Sequence, residues 1–287
     1  VTELASWTAQ DTEDVVCCLC RVPGTLVHDV APFGVVRCPQ CELVFISPRL
    51  RPEALQRLYD DVGYFEGGVY GSAVSSAAAD ADDGAPSAEG GWSPAMLLQR
   101  TWTAGRLALI DRERGGAAAG GRLLEVGAGY GLFLAAAREA GWTTSGVELS
   151  RTGAQHAQDT LGLDVFCGQL EDAPLASGFD VVCAWDTAEH VPDPLSFWRT
   201  VRSLVADDGV VLFSTPYVSS LPARLLGTRW WTLKPTEHIW HFTPRTHALV
   251  LARAGLALTR VIRSPLAPAN AGRLDSLVGV ARPIPGA

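Results

Sequence analysis

The chain has 287 residues, 47% of them hydrophobic and 19% charged, enough to bury one large core and carry a small unit beside it. Its net charge is −8, its single lysine is Lys234, and its arginines never form a run, so the dense basic stripe of a nucleic-acid-binding enzyme is missing. No apolar run reaches the roughly 18 residues of a membrane span, and the start lacks the basic and apolar parts of a leader. A cytoplasmic protein is the expectation, with a small-molecule partner, no membrane, and a homo-oligomer left open.

Residues 1–14 are polar and expected to fray. Segment 15–50 holds five of the seven cysteines. An odd cysteine count without a secretion signal does not suggest a disulfide framework. Cys17-x-x-Cys20 and Cys38-x-x-Cys41 stand 17 residues apart, the two-knuckle spacing of a zinc ribbon. Four thiolates leave no open position on the metal, so a structural Zn2+ is expected, with Cys17 preferred over Cys18 for its spacing. Two short strand-like runs, 34–37 and 43–46, flank the second pair.

Segment 51–91 reads as a connection. It contains a short helix over 53–59, an aromatic and glycine-rich stretch around Tyr64, and an Ala/Ser/Gly/Asp-rich mobile loop over 71–91. The remainder, 92–287, reads as the catalytic domain. A helix over 92–114 is followed by alternating elements: strands at 122–126, 143–147, 164–166, 179–184 and 210–214, and helices at 132–140, 151–161 and 194–205. This rhythm predicts an α/β domain, a parallel Rossmann-like sheet with helices on both faces and its ligand at the carboxyl ends of the strands.

The first strand runs directly into Glu125-Val126-Gly127-Ala128-Gly129-Tyr130-Gly131, and Glu148 ends the next strand. Glycines there permit a tight turn and a close approach of ligand to backbone, and an acid about 20 residues on can bind a ribose diol. Two cofactors compete for such a layout. A dinucleotide prefers Gly-x-Gly-x-x-Gly, and Glu125 would repel its pyrophosphate; S-adenosylmethionine (SAM) is cationic at its amino and sulfonium groups and suits the acids.

Leu123 to Gly131, Ser145 to Ser150, and Phe179 to Val191 in that order resemble the successive motifs of class I SAM-dependent methyltransferases, a likeness covering roughly residues 92–263. The resemblance implies that Gly127, Ala128 and Gly129 line the methionine part of SAM, with Glu125, Tyr130 and Gly131 completing the loop. It implies that Glu148 and Leu149 meet the ribose, that Gln169 and Leu170 frame the adenine, and that Trp185 and Asp186 border the sulfonium. Many members carry Asp where Gln169 stands; an amide can still pair with the adenine amine.

Segment 216–242 is too long for an ordinary connection and concentrates Tyr217, Trp230, Trp231, Trp240, His238 and His241 at the strand ends. Thr243 and Pro244 then suit the cap and first turn of a helix. Together with the ribbon, Glu237-His238-Ile239-Trp240-His241-Phe242 resembles a zinc-ribbon subgroup of these methyltransferases, which implies a natural-product or surface-polysaccharide acceptor. Methyl transfer to an alcohol or amine benefits from a base, for which His238 and His241 lead and His190 follows. The alternatives are a SAM-fold protein without methyl transfer (a regulator or cyclase), a zinc-ribbon RNA or protein methyltransferase, disfavoured by charge, and a nicotinamide oxidoreductase, disfavoured by the glycine spacing.

Overall fold

In a computed structural model the protein is described over residues 7–60, 94–115 and 120–286. The loop expected over 71–91, the aromatic stretch around Tyr64 and residues 1–6 lie outside the described residues.

The N-terminal part contains β1 (Thr12–Glu13), β2 (Thr25–Val30), β3 (Phe33–Arg37), β4 (Val44–Ile46), β5 (Arg49–Leu50) and α1 (Pro52–Asp60). Residues 8–13, expected to fray, are instead held in place: Thr8 caps a short turn with Asp11, Thr12 and Glu13 pair with Leu50 and Arg49, and Asp11 meets Arg57 at 2.7 Å. Local capping chemistry, [Thr8-x-x-Asp11], supplies the order that composition alone does not suggest.

Then come α2 (Pro94–Arg114), β6 (Arg122–Val126), α3 (Leu132–Glu139), β7 (Thr143–Glu148), α4 (Arg151–Asp159), β8 (Val165–Cys167), β9 (Phe179–Trp185) and α5 (Pro194–Leu204). They are followed by β10 (Val205–Pro216), α6 (Leu221–Leu226), β11 (Trp240–His241), α7 (Pro244–Arg253), β12 (Leu256–Ile262) and β13 (Ser276–Pro283). Seven strands form one sheet in the order β12-β13-β10-β9-β6-β7-β8. All pairings from β10 through β8 are parallel, whereas β13 runs antiparallel to both β10 and β12. The sheet is therefore mixed at one edge, where a wholly parallel sheet was expected.

Helix ends follow local chemistry. Ser150 caps α4, Asp193 caps α5 with Pro194 behind it, and Thr243 forms a reciprocal capping box with Thr246. Trp198, Phe179, Phe213 and Phe242 are fully buried on one side of the sheet. The same apolar cluster continues without a break into Leu43, Phe45 and the ribbon cysteines. A four-stranded sheet, β11-β4-β3-β2, makes the join, because β11 from the long insertion pairs antiparallel with β4. The ribbon and the insertion are thus one structural unit laid against the carboxyl end of the large sheet.

Candidate active site

The carboxyl ends of β6, β7 and β9 open into a cleft of about 1300 Å³. One wall is made largely of backbone. The Gly127 and Ala128 amides donate to the Val147 carbonyl (2.8 and 3.1 Å), which ties the loop after β6 to β7. Glu148 completes the tie: its two carboxylate oxygens accept from the Gly129 and Ser150 amides, each at 2.7 Å. Burial raises the Glu148 carboxyl, and the amides of Ser150, Gly129 and Leu149 oppose that rise only in part. With three amides on two oxygens, the carboxylate still has acceptor capacity left for a ligand.

Gly127 has φ +77°, and a Cβ there would stand 2.5 Å from the Thr187 hydroxyl oxygen. That hydroxyl lies 3.1 Å from the Val126 carbonyl and 3.0 Å from that of Trp185, so it cannot easily move aside. Gly131 plays a different part. It precedes α3 at φ +80°, and a Cβ would press on Leu163 and Ala157, so it seats α3 against α4 and does not line the cleft.

The other residues expected at the cofactor all line the cleft: Glu125, Ala128, Gly129 and Tyr130 on the loop, Leu149 beyond β7, Gln169 and Leu170 beyond β8, and Trp185 and Asp186 at the end of β9. Glu125 is buried, and burial holds its carboxyl well above the ordinary range; Arg106 opposes the rise and Glu148 adds to it. Asp186 shows the opposite balance. Burial alone would raise it, but Arg273 grips both its oxygens (2.7 and 2.9 Å) and Arg106 stands 3.7 Å away, which holds its pKa at about 2. Arg106 also lies over the Trp185 ring, 4.4 Å from its centroid.

The facing wall is assembled from the turn after β9 and the insertion. The Ile239 and Trp240 amides donate to the Glu189 carbonyl (2.9 and 3.2 Å), while the Ile46 amide of β4 donates to the Ile239 carbonyl (3.0 Å). His190 and His238 both face the cleft, their ring centroids 4.7 Å apart and edge to face. Burial depresses both imidazoles, to about 4 and about 3, so each is neutral near pH 7. His241 is not part of this wall. Pairing of β11 with β4 turns it behind Trp230, where it is 2% exposed, and burial lowers its pKa to about 3.

Four further side chains belong to the site and were not singled out from the sequence. Glu189 adjoins His190 inside a motif already in view, so its signal was present. Arg106, Arg273 and Asp275 carry no local pattern. Asp275 accepts from the Trp230 indole (2.8 Å) and the Thr232 hydroxyl, fixing the insertion over the cleft.

At the far end of the ribbon the sulfurs of Cys17, Cys20, Cys38 and Cys41 all lie within 4.8 Å of one another. The two Cys-x-x-Cys turns are alike in detail. Arg21 and Glu42, each following the second cysteine, have φ +58° and +67°. Their amides donate to the Cys17 and Cys38 carbonyls, and the Cys17 and Cys38 amides donate to Val22 and Leu43. Cys18 lies outside the four-sulfur group, and Cys183 is a buried residue of β9.

A family model described as a methyltransferase domain matches residues 98–261, more than half of the chain. The chain belongs to this methyltransferase family. The ubiquinone biosynthesis O-methyltransferase of Actinobacillus pleuropneumoniae is 35% identical over 107 residues, 33% of this chain and 46% of that one. The enzyme of the same name from Methylococcus capsulatus is 34% identical over 138 residues, covering 45% and 55%. The chain thus spans about half the length of the curated relatives it matches. Among solved structures, a SAM-dependent methyltransferase from Clostridium acetobutylicum superposes with a TM-score of 0.52 at 11% identity, covering 64% of this chain and 92% of that one. The magnesium protoporphyrin IX methyltransferase of Synechocystis, solved with bound S-adenosylhomocysteine, gives 0.52 at 14% identity, covering 80% and 99%. At these identities the structural likeness speaks for the methyltransferase fold. Among the described residues, no helix of the methyltransferase is long and apolar enough to cross a membrane.

Proposed function

We propose that this methyltransferase moves the methyl group of SAM to an oxygen, nitrogen or carbon nucleophile of a small molecule, a secondary metabolite or sugar intermediate. The observation that carries the reading is the two-walled cleft. A glycine loop tied to Glu148 forms one side, and half-buried His190 and buried His238, both neutral, form the other. In this reading the loop residues Gly127, Ala128 and Gly129 cradle the methionine end, and Glu125 offers its carboxyl toward the amino group. Glu148 and Leu149 receive the ribose, Gln169 and Leu170 frame the adenine, and Trp185 and Asp186 border the sulfonium. The names of the curated relatives favour oxygen as the methyl acceptor.

The nucleophile's bond to the methyl carbon forms as the sulfur–methyl bond breaks, and the sulfonium leaves as neutral S-adenosylhomocysteine. SAM brings the activation, so the protein's share is alignment and disposal of the nucleophile's proton. His190 and His238 line the cleft unprotonated near pH 7 and are the groups proposed to receive that proton. His241, behind Trp230, is given no role in the transfer.

We assign a structural Zn2+ to Cys17, Cys20, Cys38 and Cys41. The four sulfurs converge from two matching Cys-x-x-Cys turns, the donor set of a closed structural zinc site. The zinc-ribbon subgroup and its natural-product acceptors stand with this assignment. Calorimetry with SAM, S-adenosylhomocysteine and NAD tests the donor: the first two should bind at one site per chain and NAD should not. NAD binding without SAM binding would overturn the proposal, and methyl release on a panel of phenols, sugars and amines separates an enzyme from a protein that only binds SAM.

A further inference from the structure

Glu189 is 1% exposed, lines the cleft, and sits in surroundings that do not pair its carboxylate. Among the described residues neither of its oxygens has a hydrogen bond of ordinary geometry; its own amide and the Thr215 hydroxyl are the groups that act on it, and that hydroxyl also donates to the Pro216 carbonyl (3.1 Å). Left alone, a buried carboxyl with no donor keeps its proton, and a cation that meets it takes that proton's place. The positive charge that acts on Glu189 comes from Arg273, whose guanidinium is gripped by Asp186.

The atoms that do converge on Glu189 are ring nitrogens. One ligand atom each from Glu189, His190 and His238 lies within 4.8 Å of the other two. Ligand atoms on one ion with metal–nitrogen and metal–oxygen distances of about 2.0–2.2 Å stand at most about 4.4 Å apart, so three atoms already inside this span need move little to share an ion. The rings are also prepared as ligands. His238 Nδ1 sits 2.7 Å from the Thr232 carbonyl, so it carries the proton and Nε2 presents the lone pair. His190 likewise hydrogen-bonds to the Glu237 backbone. Anchoring one ring nitrogen to a carbonyl, and so fixing the tautomer, is the usual support of a metal-bound histidine. The backbone carries the same arrangement, since the Glu189 carbonyl holds the Ile239 and Trp240 amides right beside His238.

We propose that Glu189, His190 and His238 bind a divalent metal ion at the acceptor end of the cleft, a second site distinct from the four-cysteine ribbon. Two imidazoles and a carboxylate suit a first-row ion such as Mn2+, Fe2+ or Zn2+, and three protein ligands leave positions open. Those positions face the cleft, where an oxygen of the acceptor can occupy one; this last step rests on the methyltransferase reading above, while binding of the ion does not. The methyl acceptor would then be activated through the ion, with the histidines serving as its ligands.

The test is metal binding by the full zinc-loaded chain. Mn2+ prefers carboxylate and imidazole and does not compete for four thiolates, so calorimetry with Mn2+ should find one ion per chain in the wild-type protein. Elemental analysis after Zn2+ loading should find two zinc ions per chain. Glu189→Gln and His238→Ala should each weaken Mn2+ binding at least tenfold and lower the zinc count to one. Retention of the ribbon zinc and of SAM binding in the same samples shows that the variants are folded. A wild-type protein that binds no Mn2+ and one zinc only overturns the proposal, as does Mn2+ binding unchanged in both variants. SAM binding, read separately, decides the methyltransferase proposal whichever way the metal experiment falls.

Discussion

The two walls of the cleft are built by different means. The loop after β6 and the end of β7 hold the cofactor side with contacts between residues close in sequence: Gly127 and Ala128 to Val147, Gly129 to Glu148, and Ser150 to Glu148. Backbone amides and one carboxylate do the work, and the parallel sheet sets their spacing. The acceptor side is gathered from distant stretches of chain. Ile46 of the ribbon reaches Ile239, Arg273 reaches back to Asp186, and Trp230 is pinned by Asp275. A fixed donor needs a fixed cradle, whereas a wall made of inserted segments can change its acceptor without disturbing the sheet.

The largest effect should come from separating the walls. Cys38→Ser removes one of the four proposed zinc ligands and weakens the metal binding, worth about 10 kcal/mol or more for an intact structural zinc site, from which a small segment draws its folding energy. β4 then loses its foundation, and β11, paired to it at Trp240 and His241, loses its partner. Methyl transfer should fall by at least a hundredfold while SAM affinity changes by less than about threefold, a split read by turnover and calorimetry on one sample. A parallel collapse of both would show that the walls are a single cooperative unit, as the continuous apolar cluster beneath them allows.

The converse change is Glu148→Ala. It deprives the Gly129 and Ser150 amides of their acceptor and removes the group proposed for the ribose. Two charge-assisted hydrogen bonds lost at about 1.5–3 kcal/mol each put SAM binding down by roughly a hundredfold, allowing for partial replacement by water. Zinc content and, if the second site is present, Mn2+ binding should be untouched. A loss of Mn2+ binding in this variant would mean that the acceptor wall depends on the cofactor wall after all.

This contrast also explains what could be read from the sequence. The alternation of elements from Arg122 to Leu204, the glycine loop, Glu148 and the paired cysteines are local patterns, and the family match over 98–261 and the converging sulfurs agree with them. The strands toward the β12 side of the sheet carried weaker signals. β13 is almost wholly buried, but its run is broken by Gly279, whose added Cβ would lie 2.2 Å from the Phe213 ring; the residue is there for close packing and reads as a break. β10 begins at Val205, five residues before the strand expected, because Asp207, Asp208 and Gly209 form an irregularity inside the pairing with β9 and do not end it. Arg106, Arg273 and Asp275 are ordinary charged residues until the fold brings them to Trp185, Asp186 and Trp230. His238 and His241 looked equivalent by spacing; pairing with the ribbon separated them, leaving one at the cleft and the other behind Trp230.

The smallest effect concerns a histidine that serves neither wall and so measures what burial alone does to an imidazole. His247 is fully buried, stacked 4.1 Å from Phe242 and 4.8 Å from Phe213, and among the described residues neither ring nitrogen has a partner. Burial lowers its pKa to about 3, against 6.5 for an unhindered imidazole. Between those two values the unfolded chain binds a proton that the folded chain refuses, so stability falls as pH drops below 6.5, by about 1.4 kcal/mol per pH unit. His247→Phe keeps the stacking, removes two unpaired buried polar atoms, and should raise stability by about 1 kcal/mol at pH 7 after some cost for the larger ring. The advantage should widen as the pH is lowered to 5.5 and then 4.5, read from urea midpoints. The raised carboxyls of Glu125, Glu148 and Glu189 pull the pH dependence the other way, but they are common to both proteins and cancel in the difference. A gap that stays constant with pH would mean that the interior admits water or a counter-charge to His247, and the same would then have to be asked of His190 and His238 beside the cleft.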